Sequence, residues 1–292
     1  MFTGTYTALV SPFRDGKIDE KAFEDLIEGQ IAGGVDGIVP VGTTGESPTV
    51  DLDEHIRLIE PAVRYADGRV KVIAGTGSNA TAEAISQSQM AAEKGADGLL
   101  VVNPYYNKPS QEGLFRHYEA IAAAVSLPIM LYSVPGRTCG EIAVETVVRL
   151  ATEVSNIVSL KQAGGNVDRT SQLCSAVPEG FTILSGDDSL TIPFLSVGAV
   201  GVVSVASNLI PGEVAKMVKA YRDGQTADAL ALHRKYSPLF KNLFIEPNPV
   251  PAKTALAWMG KMSAEVRLPL CEMSSVTSKI LRETLESLQL IS

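Results

Sequence analysis

The sequence is short of the groups that several chemistries require. It holds three cysteines in 292 residues, Cys139, Cys174 and Cys271, far apart and with no C-x-x-C pair. That argues against a disulfide framework and suits a reducing compartment. The three histidines, His55, His117 and His233, are scattered and form no H-E-x-x-H, so metal ligation lacks support. There is no G-x-x-x-x-G-K-[ST] phosphate loop and no G-x-S-x-G nucleophile elbow. Gly75-Thr76-Gly77 with Ala80 resembles a dinucleotide fingerprint, but the acidic residue expected about twenty positions on is missing. No apolar run is long enough to span a bilayer. The opening MFTGTYTALVSPFRDG lacks a basic region followed by a long apolar stretch, so no secretory signal is expected. Charged residues are 20% of the chain, both signs are interleaved and the net charge is −8, which speaks against nucleic acid or an anionic membrane as main partner. A cytoplasmic globular protein is the expectation.

What is present is a repeated pattern. Short apolar segments rich in valine and isoleucine recur at 5–10, 37–41, 70–74, 98–102, 128–132, 156–161, 181–184 and 200–205. Continuous apolar runs without alternation suit strands buried on both faces of a parallel sheet. Helical patterns lie between them. Ile18, Ala22, Phe23, Leu26, Ile27 and Ile31 share one helix face, with Asp19 as cap and Gly33-Gly34 as stop. Residues 82–94 and 113–125 read the same way. Strand–helix alternation at roughly thirty-residue spacing signals βαβ units. Eight repeats favour an α/β fold closed as a (β/α)8 TIM barrel, with an open doubly wound sheet as the rival. After residue 205 only helical stretches follow, at 213–222, 226–243, 252–261 and 275–288. The expected organisation is a catalytic barrel over 1–225 and a C-terminal helical region over 226–292, with EPNPVPAK (246–253) as a rigid connection.

In such a barrel the active site lies where the strands end. Lys161 ends the sixth run, directly after Ile-Val-Ser-Leu. Desolvation by apolar walls disfavours an ammonium, and a neutral amine can attack a carbonyl to form an imine. The bland alternative is a lysine snorkelling from a strand end. Tyr132 ends the preceding run, where it can carry protons for that lysine or simply line the mouth. Arg137 follows in a Pro-Gly-Arg turn, suited to a substrate carboxylate or to a surface ion pair. Thr43 and Thr44, between glycines in GTTGES, can offer hydroxyls and N–H groups to a carboxylate or only close a turn. Glu46 is read as only capping or bracing that loop. Tyr105-Tyr106 fits packing against another subunit as well as it fits a ligand. Asp187-Asp188 reads better as a cap for the following helix than as a catalytic carboxylate pair.

Taken together, GTTGES, the NPYYN loop, the Y-x-V-P-x-R-T turn, the strand-ending Lys161 and the EPNP segment resemble the dihydrodipicolinate synthase family over essentially the whole chain. This is a branch of the pyruvate-dependent class I aldolases that include N-acetylneuraminate lyase. The resemblance implies that pyruvate condenses with L-aspartate 4-semialdehyde through a lysine imine and enamine. The product would be 4-hydroxy-tetrahydrodipicolinate, in the first committed step of diaminopimelate and lysine biosynthesis. By resemblance Lys161 is the nucleophile and Tyr132 the proton carrier. Thr43 would link Tyr132 to Tyr106 of a neighbouring subunit. Thr44 and the backbone at Val203 would bind pyruvate, with Gly186 near the same pocket, and Arg137 would anchor the semialdehyde carboxylate. No metal or dissociable cofactor is implied, and the usual assembly is a homotetramer. Feedback inhibition by L-lysine would involve Ser47, His55, Asn79, Glu83 and Tyr105.

The chain departs from the family pattern at several places. Gln162, Ser133 and Cys139 stand where an acidic residue, an asparagine and a glycine are usual, and Pro48 and Leu52 differ from inhibited members. A sugar-acid lyase shares the pyruvate half of this site, but Arg137 speaks for the synthase branch. A barrel that binds a keto acid without turnover is opposed by the intact set Lys161, Tyr132, Thr43 and Tyr106.

Overall fold

Eight strands, hydrogen-bonded in chain order, form one closed parallel barrel. They are β1 (Gly4–Ala8), β2 (Gly37–Val39), β3 (Lys71–Gly75), β4 (Gly98–Val102), β5 (Ile129–Ser133), β6 (Ile157–Gln162), β7 (Thr182–Ser185) and β8 (Gly201–Ser204). The ring closes at β1, where Tyr6 stands in register with Gly37 on one side and Val203 on the other. That closure excludes the open-sheet rival. This computed structural model describes residues 2–292; Met1, which begins the expected barrel region, lies outside the described residues.

The apolar runs lack alternation because both strand faces are buried. Tyr6, Ala8, Val39, Ile73, Leu100, Met130, Tyr132, Leu184 and Val203 fill the barrel interior. Leu99, Val101, Leu131, Leu160, Ile183 and Val202 face the helices in a second cluster. The helices are α1 (Glu20–Ala32), α2 (Leu52–Ala66), α3 (Thr81–Glu93), α4 (Gln111–Ala123), α5 (Val144–Glu153), α6 (Val167–Ala176), α7 (Thr191–Leu195) and α8 (Pro211–Arg222). Several starts are fixed by side-chain caps. Asp19 accepts from Ala22 N–H, Ser110 from Gly113 N–H and Asn166 from Arg169 N–H.

Beyond the barrel, α9 (Thr226–Asn242) packs on α8 and on α11 (Ser275–Ser287), and α10 (Val250–Trp258) packs on α11. Two details differ from the sequence expectation. Ile18 is not on α1; it belongs to a two-stranded hairpin of Phe13–Arg14 with Lys17–Ile18, and α1 starts after the Asp19 cap. EPNPVPAK is only partly a connection, because Val250 already opens α10, with Pro251 in a first turn whose N–H groups have no helical partner to lose.

Candidate active site

Lys161 and Tyr132 are register partners on adjacent strands β6 and β5. The Lys161 Nζ lies 4.2 Å from the centre of the Tyr132 ring. Both are buried, at 5% and 6% exposure, and Leu184 of β7 flanks the lysine on its other side. Successive strand residues point to opposite faces, so Lys161 faces the barrel interior while Leu160 and Gln162 face the helices. Gln162 and Ser133 are themselves register partners, and both are fully buried. The Gln162 amide and the Ser133 hydroxyl find no hydrogen-bond partner among the described residues. The two departures from the family pattern thus share one compartment behind the site.

GTTGES leaves the end of β2 as a tight loop. Gly45 N–H and Ser47 N–H both donate to Gly42 O, and Glu46 N–H donates to Thr43 O. Thr43 is half-buried and Thr44 buried. Asn248 Nδ2 donates to Thr44 Oγ1 at 3.0 Å, across more than two hundred residues of sequence. Glu46 braces the loop from its C-terminal side by an ion pair with Lys253.

Arg137 sits on the single helical turn Pro135–Thr138 after β5 and is exposed. It forms no ion pair with any carboxylate among the described residues, and its guanidinium donates to the Asn248 carbonyl at 3.3 Å. Gly186 follows β7 directly, and its N–H donates to Gln162 O at 2.8 Å. Val203 is wholly buried in the interior cluster.

The Asp187-Asp188 expectation needs correction. Neither side chain caps the helical turns that follow it. Asp188 instead accepts the backbone N–H groups of Val205 and Ala206, each at 3.0 Å, and the hydroxyl of Ser204, so it caps the turn that ends β8. Burial pushes the Asp188 carboxyl up from its ordinary value, while those hydrogen bonds pull it down. Asp187 is also raised by burial, against the opposing pull of the Lys161 ammonium. Both carboxylates thus stand within electrostatic reach of Lys161.

A cleft of about 530 Å³ opens beside the mouth, and Thr43, Arg137, Ser47, His55, Glu83 and Tyr105 all line it. Lys161, Tyr132, Thr44, Gly186 and Val203 do not. Asn79 is not on the lining either, but its Nδ2 donates to the Tyr105 carbonyl at 3.2 Å. Glu83 accepts the Ser78 hydroxyl at 2.6 Å. His55 is lowered chiefly by burial, with the Ser47 backbone and Glu83 opposing. The structure therefore gathers four of the five expected lysine-site residues around one space and holds the fifth against its rim. Tyr106 is 90% exposed with a left-handed φ of 72°, so within one chain it projects away from Lys161 and Tyr132.

Asn248, Lys253 and Asp188 contribute to this mouth, and sequence reasoning gave none of them a site role. The prolines around Asn248 announced rigidity, but nothing local reveals partners two hundred residues away.

A buried lysine at the sixth strand end of a (β/α)8 barrel, in register with a tyrosine, is the arrangement of an imine-forming barrel enzyme. Comparison with known proteins narrows that class. Residues 1–288 match the model of the Dihydrodipicolinate synthetase family, to which the chain belongs. The 4-hydroxy-tetrahydrodipicolinate synthase of Syntrophus aciditrophicus is 50% identical over 291 residues, covering 100% of both chains. The structure of the enzyme of that name from Methylacidiphilum fumariolicum SolV superposes with a TM-score of 0.98 at 55% identity, over 99% of this chain and 96% of that one. A structure of dihydrodipicolinate synthase from Cyanidioschyzon merolae with lysine bound superposes with a TM-score of 0.96 at 40% identity, over 99% of each chain.

Proposed function

We propose that this protein is a 4-hydroxy-tetrahydrodipicolinate synthase, condensing pyruvate with L-aspartate 4-semialdehyde, and that Lys161 carries the reaction. The observation that carries this reading is the buried Lys161–Tyr132 pair, combined with an arginine at the same mouth, Arg137, that has no carboxylate partner among the described residues.

The Lys161 amine attacks the keto carbon of pyruvate, and loss of water leaves an imine. The protonated imine withdraws electrons from the methyl group, so a methyl proton leaves and an enamine forms. The enamine carbon then attacks the aldehyde of the semialdehyde, and the new alkoxide takes up a proton. The amino group of the second substrate can now displace Lys161 from the imine, closing a six-membered ring and freeing the enzyme. Each proton transfer needs a carrier, and Tyr132 over the lysine supplies it. Thr43 links Tyr132 to Tyr106 from a neighbouring copy, which accounts for a tyrosine that stands free of its own chain's site. Thr44 and the Val203 backbone hold the pyruvate carboxylate, and Gly186 leaves room beside the imine. Arg137 grips the semialdehyde carboxylate by paired N–H groups. The reaction is the first committed step toward diaminopimelate and lysine.

In this reading residues 1–225 form the catalytic barrel, and the helical region 226–292 braces its mouth through Asn248. A homotetramer in the cytoplasm is the working form, and among the described residues no helix is long and apolar enough to cross a membrane. L-Lysine binds in the cleft between Ser47, His55, Glu83 and Tyr105 with Asn79 at its edge, and inhibits. Support for that site is the convergence of those residues on one space.

The test is chemical. Borohydride with pyruvate is expected to leave a reduced three-carbon adduct on Lys161, seen by mass spectrometry. An adduct on another lysine, or none, sinks the mechanism. A coupled assay with a downstream reductase then checks the semialdehyde, and turnover with a sugar acid alone would move the protein to the lyase branch.

A further inference from the structure

Glu46 and Lys253 form an ion pair sealed inside the protein. The Oε1–Nζ distance is 2.6 Å, with 1% and 0% of the respective side chains exposed. The second Glu46 oxygen accepts the Arg267 backbone N–H at 3.0 Å. The Lys253 Nζ lies 4.2 Å from the Phe13 ring centre, and the Arg267 guanidinium lies 4.1 Å from the same ring. None of these groups has a part in the reaction described above.

Their place in the chain gives them one. The loop that carries Thr43 and Thr44 begins at Val41, with φ 54°, and ends at Glu46, with φ 57°. Both are left-handed positions occupied by residues other than glycine, and the valine is β-branched, so the loop persists only if its surroundings over-determine it. Three ties from the C-terminal third do so: Asn248 to Thr44, Lys253 to Glu46, and the Arg267 N–H to Glu46. The ion pair is the one that fixes the end of the loop by charge in a place closed to water, where a misplaced partner cannot be replaced by solvent. Burial pulls the Lys253 ammonium below the usual lysine range, and the Glu46 carboxylate beside it opposes that pull.

We propose that Lys253 is a positioning residue for the condensation: through its ion pair with Glu46 it sets the loop geometry in which Thr44 meets the pyruvate carboxylate. This rests on the reading above that Thr44 binds pyruvate.

Two variants of the full chain test it. Removing one charge strands the other in the interior and threatens the fold, whereas removing both is commonly tolerated. The double variant Glu46→Gln/Lys253→Met is therefore expected to fold. Glu46→Asp keeps the charge but withdraws it by one methylene, so it shifts the loop without stranding Lys253. In each, the pyruvate concentration for half-maximal borohydride trapping at Lys161, and KM for pyruvate, should rise about tenfold, the scale expected for sub-ångström misplacement of binding groups. The KM for the semialdehyde, held by Arg137 on another loop, should change less than about twofold. Wild-type pyruvate dependence in folded Glu46→Asp, or equal weakening for both substrates, overturns the proposal. The wild-type control separates this failure from a failure of the site itself, because absence of any adduct on wild-type Lys161 refutes the assigned reaction and the proposal with it.

Discussion

Gly186 lies against Lys161: a β-carbon built at this position would stand 3.1 Å from Lys161 Cε and 2.5 Å from Ala163 Cβ. Ala163 belongs to the same strand end and is one side of the barrel mouth, so it has little room to retreat. Gly186→Ala should therefore push the lysine stem off its line of attack. The expected result is a folded protein with the rate of imine formation cut by about a hundredfold, measured by rapid quench with borohydride. Wild-type trapping kinetics would show that the mouth absorbs a methyl group.

Arg137 is an exposed mouth residue that forms no ion pair with a carboxylate among the described residues. Arg137→Lys keeps that charge but loses the planar pair of donors. KM for the semialdehyde should rise at least about tenfold, in line with a lost charge-assisted hydrogen bond of roughly 1.5–3 kcal/mol, while pyruvate trapping at Lys161 stays unchanged. An equal loss in pyruvate trapping would place Arg137 on the first substrate instead.

For the proposed regulation, the side chain to test is Glu83, which accepts from Ser78 and faces the cleft. Glu83→Ala is expected to raise the lysine concentration for half inhibition by about tenfold or more, with turnover nearly intact. An inhibition curve that does not move would remove Glu83 from the site.

Cys139 ends the turn that carries Arg137, with a left-handed φ of 54°. A side chain in that conformation costs about 1–2 kcal/mol, against roughly 0.5–1 for the greater freedom a glycine loses on folding. Cys139→Gly should stabilise the protein by about 0.5–1 kcal/mol by chemical denaturation. A loss of stability would mean that the thiol makes contacts worth more than the strain.

His117 provides a pH test. Burial lowers it to about 4, and its Nδ1 sits 2.9 Å from the Thr81 hydroxyl. The unfolded chain takes up this proton near pH 6.5, while the folded protein refuses it until about pH 4. The neutral ring thus contributes stability above pH 6.5 that drains away as pH falls toward 4, on the order of 3 kcal/mol at about 1.4 kcal/mol per pH unit. His117→Gln should flatten that part of the stability curve, and an unaltered slope would show that the ring does not stay neutral.

Much of this molecule was legible in advance because the barrel buries both faces of each strand. All eight apolar runs became strands, displaced by no more than a residue or two. The runs overshot at Leu9, Val10 and Val41 because those residues are buried at the mouth after the ladder has ended. The Lys161–Tyr132 pairing was readable from adjacency of consecutive strands. The Phe13–Ile18 hairpin was not, since two-residue strands leave no periodicity, and Ile18 fits a helix face equally well. The Asp188 cap and the Asn248, Lys253 and Arg267 ties escaped for a different reason: each joins segments whose nearness only the closed barrel creates.

Those distant ties also order events on the ribosome. Lys253 is joined to the chain 207 residues after Glu46, and Arg267 213 residues after Glu54, with which it also pairs. At roughly 5–20 residues per second, the loop bearing Thr43 and Thr44 waits about 10–40 s for its anchors. A nascent chain can close its barrel once β8 has emerged and still hold an unfinished site. Catalytic competence is therefore among the last properties this polypeptide acquires.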